Sequence, residues 1–125
     1  MTTIAVAIGG ALGAVTRYLV AVRLYGALGI GFPWGTLAVN VAGSLMLGVI
    51  LALVEERGTF SPEVRTGITV GFIGGLTTFS TFVYEDWQFF RDGDPLRACF
   101  YVGISLVLGL AAFTIGHAGI VALEG

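Results

Sequence analysis

Four hydroxyl side chains, Thr77, Thr78, Ser80 and Thr81, interrupt an apolar stretch that reads "GFIGGLTTFSTF" over residues 71–82. Two adjacent glycines, Gly74 and Gly75, come just before them, and Phe79 and Phe82 are threaded among them. The spacing spreads the hydroxyls round most of a helix circumference, so they cannot all face one passage. A hydroxyl in an apolar helix either bonds back to the carbonyl four residues earlier, which bends the helix, or satisfies a carbonyl that a break has released. The glycine pair is weak in helix propensity, and we place such a break there. Carbonyls released at a break and aimed at one point would make a hard, oxygen-lined site suited to a cation such as sodium, an arrangement that discontinuous transporter helices use. Phe79 and Phe82 share a helix face. An aromatic ring is electropositive at its edge, so two edges beside a narrow, low-dielectric passage would help hold a small anion without a counter-charge.

Other polar residues also stand in apolar surroundings. Asn40 lies in "GTLAVNVAGS", residues 35–44. An amide at membrane depth must find partners inside the protein, either a neighbouring helix or something passing through. Ser44 is one helical turn further on and shares its face. Arg17 closes "GGALGAVTR", residues 9–17. A guanidinium there either snorkels to the interface or stands as a fixed positive charge at the mouth of an anion path. Glu85 and Asp86 follow the hydroxyl cluster closely, near the end of their segment, where a wet, interfacial placement is expected. His117 stands alone near the end of the last apolar stretch and reads as interfacial.

The elements that position these residues follow from composition. Of the 125 residues, 56% are hydrophobic and 11% charged, and the mean hydropathy is +0.94. Soluble domains carry about a quarter charged residues, so lipid is the expected solvent here. The net charge is −2, every basic residue is an arginine, and no basic tract offers itself to nucleic acid. The single cysteine, Cys99, excludes an intrachain disulfide framework. The first apolar stretch lacks a basic leader segment and reads as a retained span rather than a signal peptide.

Charges and turn residues divide the chain into four spans, at about 3–25, 34–54, 62–90 and 95–121, forming one all-α integral membrane domain. "SPE" at 61–63 supplies Ser61 as N-cap, Pro62 at the first helical position and Glu63 in the first turn. Asp94 before Pro95 does the same for the fourth span. The third span is too long for one straight crossing of a layer about 30 Å thick, which again argues for tilt or interruption. Arginine counts on the two sides nearly balance: Arg57 and Arg65 on one, Arg23, Arg91 and Arg97 with Arg17 on the other. So weak a bias permits insertion either way up, and hence an antiparallel pair about an axis in the membrane plane. Small-residue stripes, such as the Gly9–Gly13 pair, point to close helix packing. No metal-ligand cluster, nucleophile–base pair or phosphate loop marks an enzyme. "GGALGA" fits a dinucleotide fingerprint only loosely and lies inside an apolar span.

"GGALGAVTRY" (9–18), "GTLAVNVAGS" (35–44) and "GFIGGLTTFSTF" (71–82) together resemble the three signature segments of the Fluc (CrcB) fluoride channels of bacteria. The resemblance covers spans 1 to 3 in order. It implies a dual-topology homodimer in the bacterial inner membrane that exports fluoride passively after its entry as HF. It also implies residue roles. Asn40, Phe79 and Phe82 resemble the pore asparagine and paired pore phenylalanines, and Thr81, Tyr101 and Ser105 a polar track beside them. Gly74 and Thr77 resemble the positions whose carbonyls hold a structural sodium ion, Na+, that is not transported. Arg17 resembles the arginine of the first signature, and Glu85 an acidic position without an assigned role.

Two other readings fit a small four-span protein. A proton-coupled exporter of the small multidrug-resistance kind needs a membrane-embedded carboxylate, typically in span 1, and that span has no Asp or Glu. A non-transporting assembly subunit would explain the glycine stripes but leave Asn40 and the hydroxyl cluster without purpose.

Overall fold

A computed structural model describes residues 1–124 of the chain. All four apolar segments are helical, and the described residues contain no strand. Helix α1 spans Thr2–Leu28 and α2 Trp34–Arg57. The third crossing is built in two pieces. Its first piece, α3 (62–76), starts as an α-helical turn at Pro62–Thr66, widens to a π-helix over Gly67–Ile73 and closes with an α-turn at Gly74–Leu76. Its second piece, α4, is Phe79–Arg91, and α5 spans Pro95–Glu124. The continuous helices, 24 to 30 residues long, measure about 36–45 Å at 1.5 Å per residue. They therefore outrun the hydrocarbon layer and end in the headgroup region, some residues beyond the ends that hydropathy suggests.

The helix ends carry their expected chemistry. Ser61 Oγ accepts from the Val64 N–H at 3.4 Å, and Asp94 Oδ1 accepts from the Arg97 N–H at 3.0 Å. Gly58 closes α2 in the left-handed conformation, φ 57°, with its N–H donating to the Val54 carbonyl.

Few large side chains hold the bundle together. Tyr101 is the only large side chain that is wholly buried among the described residues; the other buried apolar side chains of the core are Leu37, Val39, Ala52, Ile73, Leu76, Ala98 and Ala112. Backbones touch instead. A Cβ placed on Gly13 would stand 2.1 Å from the Phe72 carbonyl, and one on Gly9 2.3 Å from the Gly67 carbonyl, so α1 lies directly on α3. Gly48 and Gly116 do the same for α2 and α5, against the Phe113 and Leu45 carbonyls at 2.2 and 2.4 Å. In lipid no hydrophobic force drives helices together, so close van der Waals approach is the available glue.

The third crossing is interrupted, two residues later than the glycine pair suggested. Gly74 is helical, φ −62° and ψ −36°. Thr77 (φ −82°, ψ 159°) and Thr78 (φ −152°, ψ 124°) are extended. The physical reason is that Gly75 is used elsewhere: its missing side chain lets the α1 backbone approach, since a Cβ there would meet the Gly10 carbonyl at 2.6 Å. The break falls on two β-branched residues, which favour extended backbone.

The packing yields a graded prediction. Gly13→Ala and Gly48→Ala should each destabilise the protein by about 1–3 kcal/mol through overpacking against backbone. Gly26→Ala, where a Cβ would meet nothing within 4 Å, should be neutral or slightly stabilising. Thermal unfolding in detergent, followed by size-exclusion profile, ranks the three.

Candidate functional site

Two extended residues in mid-crossing leave polar backbone groups that lipid cannot satisfy. The Asn40 side chain answers both groups of one peptide residue. Its Nδ2 donates to the Thr78 carbonyl at 3.0 Å, and its Oδ1 accepts from the Thr78 N–H at 2.8 Å. The amide thus imitates a strand partner, and one face-matched residue on α2 fixes the bend in the neighbouring helix. Gly43 makes the room: a Cβ there would lie 2.2 Å from Thr77 Cγ2. Ser44 turns its proton inward to the Asn40 carbonyl at 2.8 Å.

The remaining hydroxyls serve the break. Thr77 Oγ1 and the Thr77 N–H both donate to the Ile73 carbonyl at 2.9 Å, capping the end of α3. Thr78 is the N-cap of α4; its Oγ1 accepts from the Thr81 N–H at 3.3 Å and donates to Thr81 Oγ1 at 3.0 Å. Arg17 Nη1 donates to the Thr77 carbonyl at 3.1 Å. Arg17 therefore reaches the break itself rather than the membrane surface. Gly74 is the other residue whose carbonyl belongs to this region. Thr78, four residues on, gives its N–H to Asn40 and so does not close a helical bond to it.

Glu85 lines the wall of a groove open toward the helix ends, and it is a bonded carboxylate rather than a free interfacial one. It is half-buried and receives three hydroxyls: Thr36 at 2.7 Å and Tyr25 at 3.1 Å on Oε1, Tyr101 at 2.8 Å on Oε2. These come from α2, α1 and α5, so one α4 carboxylate ties the other three crossings together. Hydrogen bonds to a charged acceptor contribute about 1.5–3 kcal/mol each. Sequence reading missed Tyr25 and Thr36; the available signal was Thr36, a polar residue one turn before Asn40 on the same face. His117 does sit near the helix ends, with Nε2 3.0 Å from Glu55 Oε2.

Phe79 and Phe82 are brought together, ring centroids 5.9 Å apart and inclined at 39°. Phe82 continues to Tyr101 at 5.0 Å. Phe79 is 77% exposed on the surface of the chain. Ser105, one turn after Tyr101, has its Oγ buried and without a hydrogen-bond partner. The polar track of Thr81, Tyr101 and Ser105 is thus not a continuous chain of hydrogen bonds: Thr81 bonds to Thr78, Tyr101 to Glu85, and the Ser105 hydroxyl to nothing among the described residues.

Two hollows meet at the break. A groove of about 940 Å³ runs between α1, the start of α2 and α4, from Arg17, Thr78 and Thr81 past Glu85 to Asp92, Asp94 and Arg97 at the helix ends. A smaller hollow of about 290 Å³ is lined by Asn40, Gly43, Ser44, Thr77, Thr78 and Phe79, among others. Thr78 borders both. Phe82, Tyr101 and Ser105 line neither of these two hollows.

Residues 4–117 match the family described as "CrcB-like protein, Camphor Resistance (CrcB)". The chain is 48% identical over 111 residues to a protein of Geobacter sulfurreducens, covering 88% of this chain and 90% of that one. It is 47% identical over 113 residues to one of Hahella chejuensis, covering 90% and 89%. A protein of Geobacter metallireducens is 43% identical over 116 residues, covering 93% and 94%. All three relatives carry the name "Fluoride-specific ion channel FluC".

The Asn40 clamp makes a direct prediction. Asn40→Leu leaves the Thr78 N–H and carbonyl unpaired, each worth about 1–3 kcal/mol. The variant should unfold at lower denaturant concentration, and the Thr78 amide should exchange its hydrogen faster than in the parent protein. Asn40→Gln or Asn40→Asp should fall between the two.

Proposed function

The chain belongs to the family of CrcB-like proteins, and on that footing we propose that it is a multi-pass channel of the bacterial inner membrane that conducts fluoride passively. The observation that carries this reading is the interrupted third crossing, its break clamped by Asn40 and followed at once by Phe79 and Phe82. Fluoride is small and strongly hydrated, so a pore must replace its water with compact donors. Asn40 Nδ2 has two hydrogens and gives one to Thr78, leaving one to offer. The Ser105 hydroxyl is buried and uncommitted, and the Thr81 hydroxyl accepts from Thr78 without donating to another group. The phenylalanine edges add a weak positive potential. None of these groups carries a full charge, so the ion can leave again, as conduction requires. Passive export suits fluoride that entered an acid-stressed cell as neutral HF.

Two copies, antiparallel, complete the site. An irregular backbone segment is not tolerated against lipid and must be covered by protein or water. The small hollow beside Thr77 and Thr78 and the exposed Phe79 ring lie at the chain's surface and call for such a cover. The near balance of arginines between the two sides allows both orientations. A structural sodium ion fits the donors in kind: the carbonyls of Gly74 and Thr77 are uncharged oxygens at the break. The Thr77 carbonyl also accepts from Arg17, whose charge opposes a cation, so Gly74 offers the freer oxygen. Two carbonyls make only part of a coordination shell, and the second copy would supply the rest. The ion would contribute a fixed positive potential near the anion path.

A proton-coupled exporter finds no support. The first span has no carboxylate, and Glu85 is committed to three hydroxyls.

Purified protein in liposomes loaded with potassium fluoride should release fluoride rapidly when valinomycin is added, while chloride-loaded vesicles hold their contents. Phe79→Ile or Phe82→Ile should slow release by at least roughly three- to tenfold, the scale of a lost ring interaction, and leave the dimer assembled on size exclusion. Wild-type rates in both variants would exclude the ring-edge contribution, and no fluoride release from the parent protein would overturn the function.

A further inference from the structure

The torsion that orients a phenylalanine ring is broad, so the neighbours of a ring decide which way its edge points. Phe82 has two ring neighbours, Phe79 at 5.9 Å and Tyr101 at 5.0 Å. Phe79 is largely exposed and offers it no fixed wall. Tyr101 is fully buried and is the rigid side of the pair. What holds Tyr101 is therefore what holds Phe82.

Tyr101 is fixed at both ends. Its hydroxyl is held by Glu85 at 2.8 Å. Its ring is met edge-on by Phe32 at 5.4 Å and 79°, and by Phe89 at 6.1 Å and 82°. Phe32 comes from the short connection between α1 and α2 and is half-buried against the ends of α4 and α5. It sits at the hub of the aromatic cluster, 4.7 Å from Trp34, 6.2 Å from Phe100 and 6.4 Å from Phe89. The connection is itself anchored. Arg97 Nη1 donates to the Gly31 carbonyl at 3.4 Å while its guanidinium lies 5.7 Å over the Phe89 ring.

We propose that Phe32 is a positioning residue for conduction: by packing edge-on against Tyr101 it fixes the wall on which the Phe82 ring leans. A loop residue outside the pore thereby sets the direction in which Phe82 presents its edge. The role rests on the fluoride-channel reading, but the packing relay can be measured apart from it.

Phe32→Leu keeps an apolar side chain and removes the ring edge; Phe32→Tyr keeps the ring. In valinomycin-triggered release from fluoride-loaded liposomes, Phe32→Leu should lower the rate by roughly three- to tenfold, the scale of one lost edge-to-face contact. The fraction of vesicles that empty should stay as in the parent, because that fraction counts folded channels and not their speed. Phe32→Tyr should restore the rate. In parallel, 4-fluorophenylalanine placed at position 82 gives a 19F resonance that should shift with Phe32→Leu and return with Phe32→Tyr. A Phe32→Leu protein that releases at the parent rate, or an unmoved resonance, overturns the proposal. A Phe32→Leu effect confined to the emptied fraction also overturns it, since that marks a folding role only. If the parent protein releases no fluoride, the channel reading fails by itself, and the resonance still decides whether Phe32 controls the Phe82 ring.

Discussion

An open peptide segment inside a membrane must have each polar group answered by the protein itself, and the structure is organised round that constraint. Thr77 and Thr78 leave the helical path, and their groups are met from three directions. Asn40 on α2 takes both sides of Thr78, Arg17 on α1 takes the Thr77 carbonyl, and the threonine hydroxyls cap the two helix ends. Remove the break and Asn40 and Arg17 would lose the peptide groups they bond. Remove either side chain and a peptide group would stand unpaired.

Such precise cross-bonding needs helices that do not shift against one another. With few large buried side chains, the bundle gains that rigidity from backbone contact. Gly9, Gly13 and Gly75 bring α1 onto α3, and Gly48 and Gly116 join α2 to α5. Gly43 performs the same service for the Thr77 side chain beside the break. These contact glycines are thus a geometric requirement of the polar junction, since an added methyl at any of them would press the helices that carry Asn40 and Arg17 away from their neighbours. Glu85 adds a second tie at the wider end, binding α4 to the other three crossings through hydroxyls.

Much of this was legible in the sequence. Four crossings, the caps at Ser61 and Asp94, and an interruption of the third helix all follow from composition, turn residues and length. The resemblance of three short segments named the family. The break was read two residues early because glycine was taken for the weak point, whereas Gly75 is occupied with helix approach and the β-branched pair takes the extended conformation. Glu85 and Phe32 were illegible for another reason. The three hydroxyls on Glu85 come from 16 to 60 positions away and the Tyr101 ring lies 69 positions from Phe32, and no local spacing encodes a meeting that only the assembled bundle produces.

The groove that descends from Asp92, Asp94 and Arg97 to Thr78 has an electrical consequence. Charged and hydrogen-bonding side chains along it, Arg17, Thr36, Thr81, Glu85 and Gln88 among them, suit a groove of this width to take up water, and an electrolyte cannot sustain a voltage gradient. A wet groove would leave the membrane potential to drop across the protein beyond Thr78 rather than across the whole bilayer. An elementary charge crossing the full potential gains about 2.3 kcal/mol per 100 mV, and that work would then fall on the step past the threonine pair and the rings.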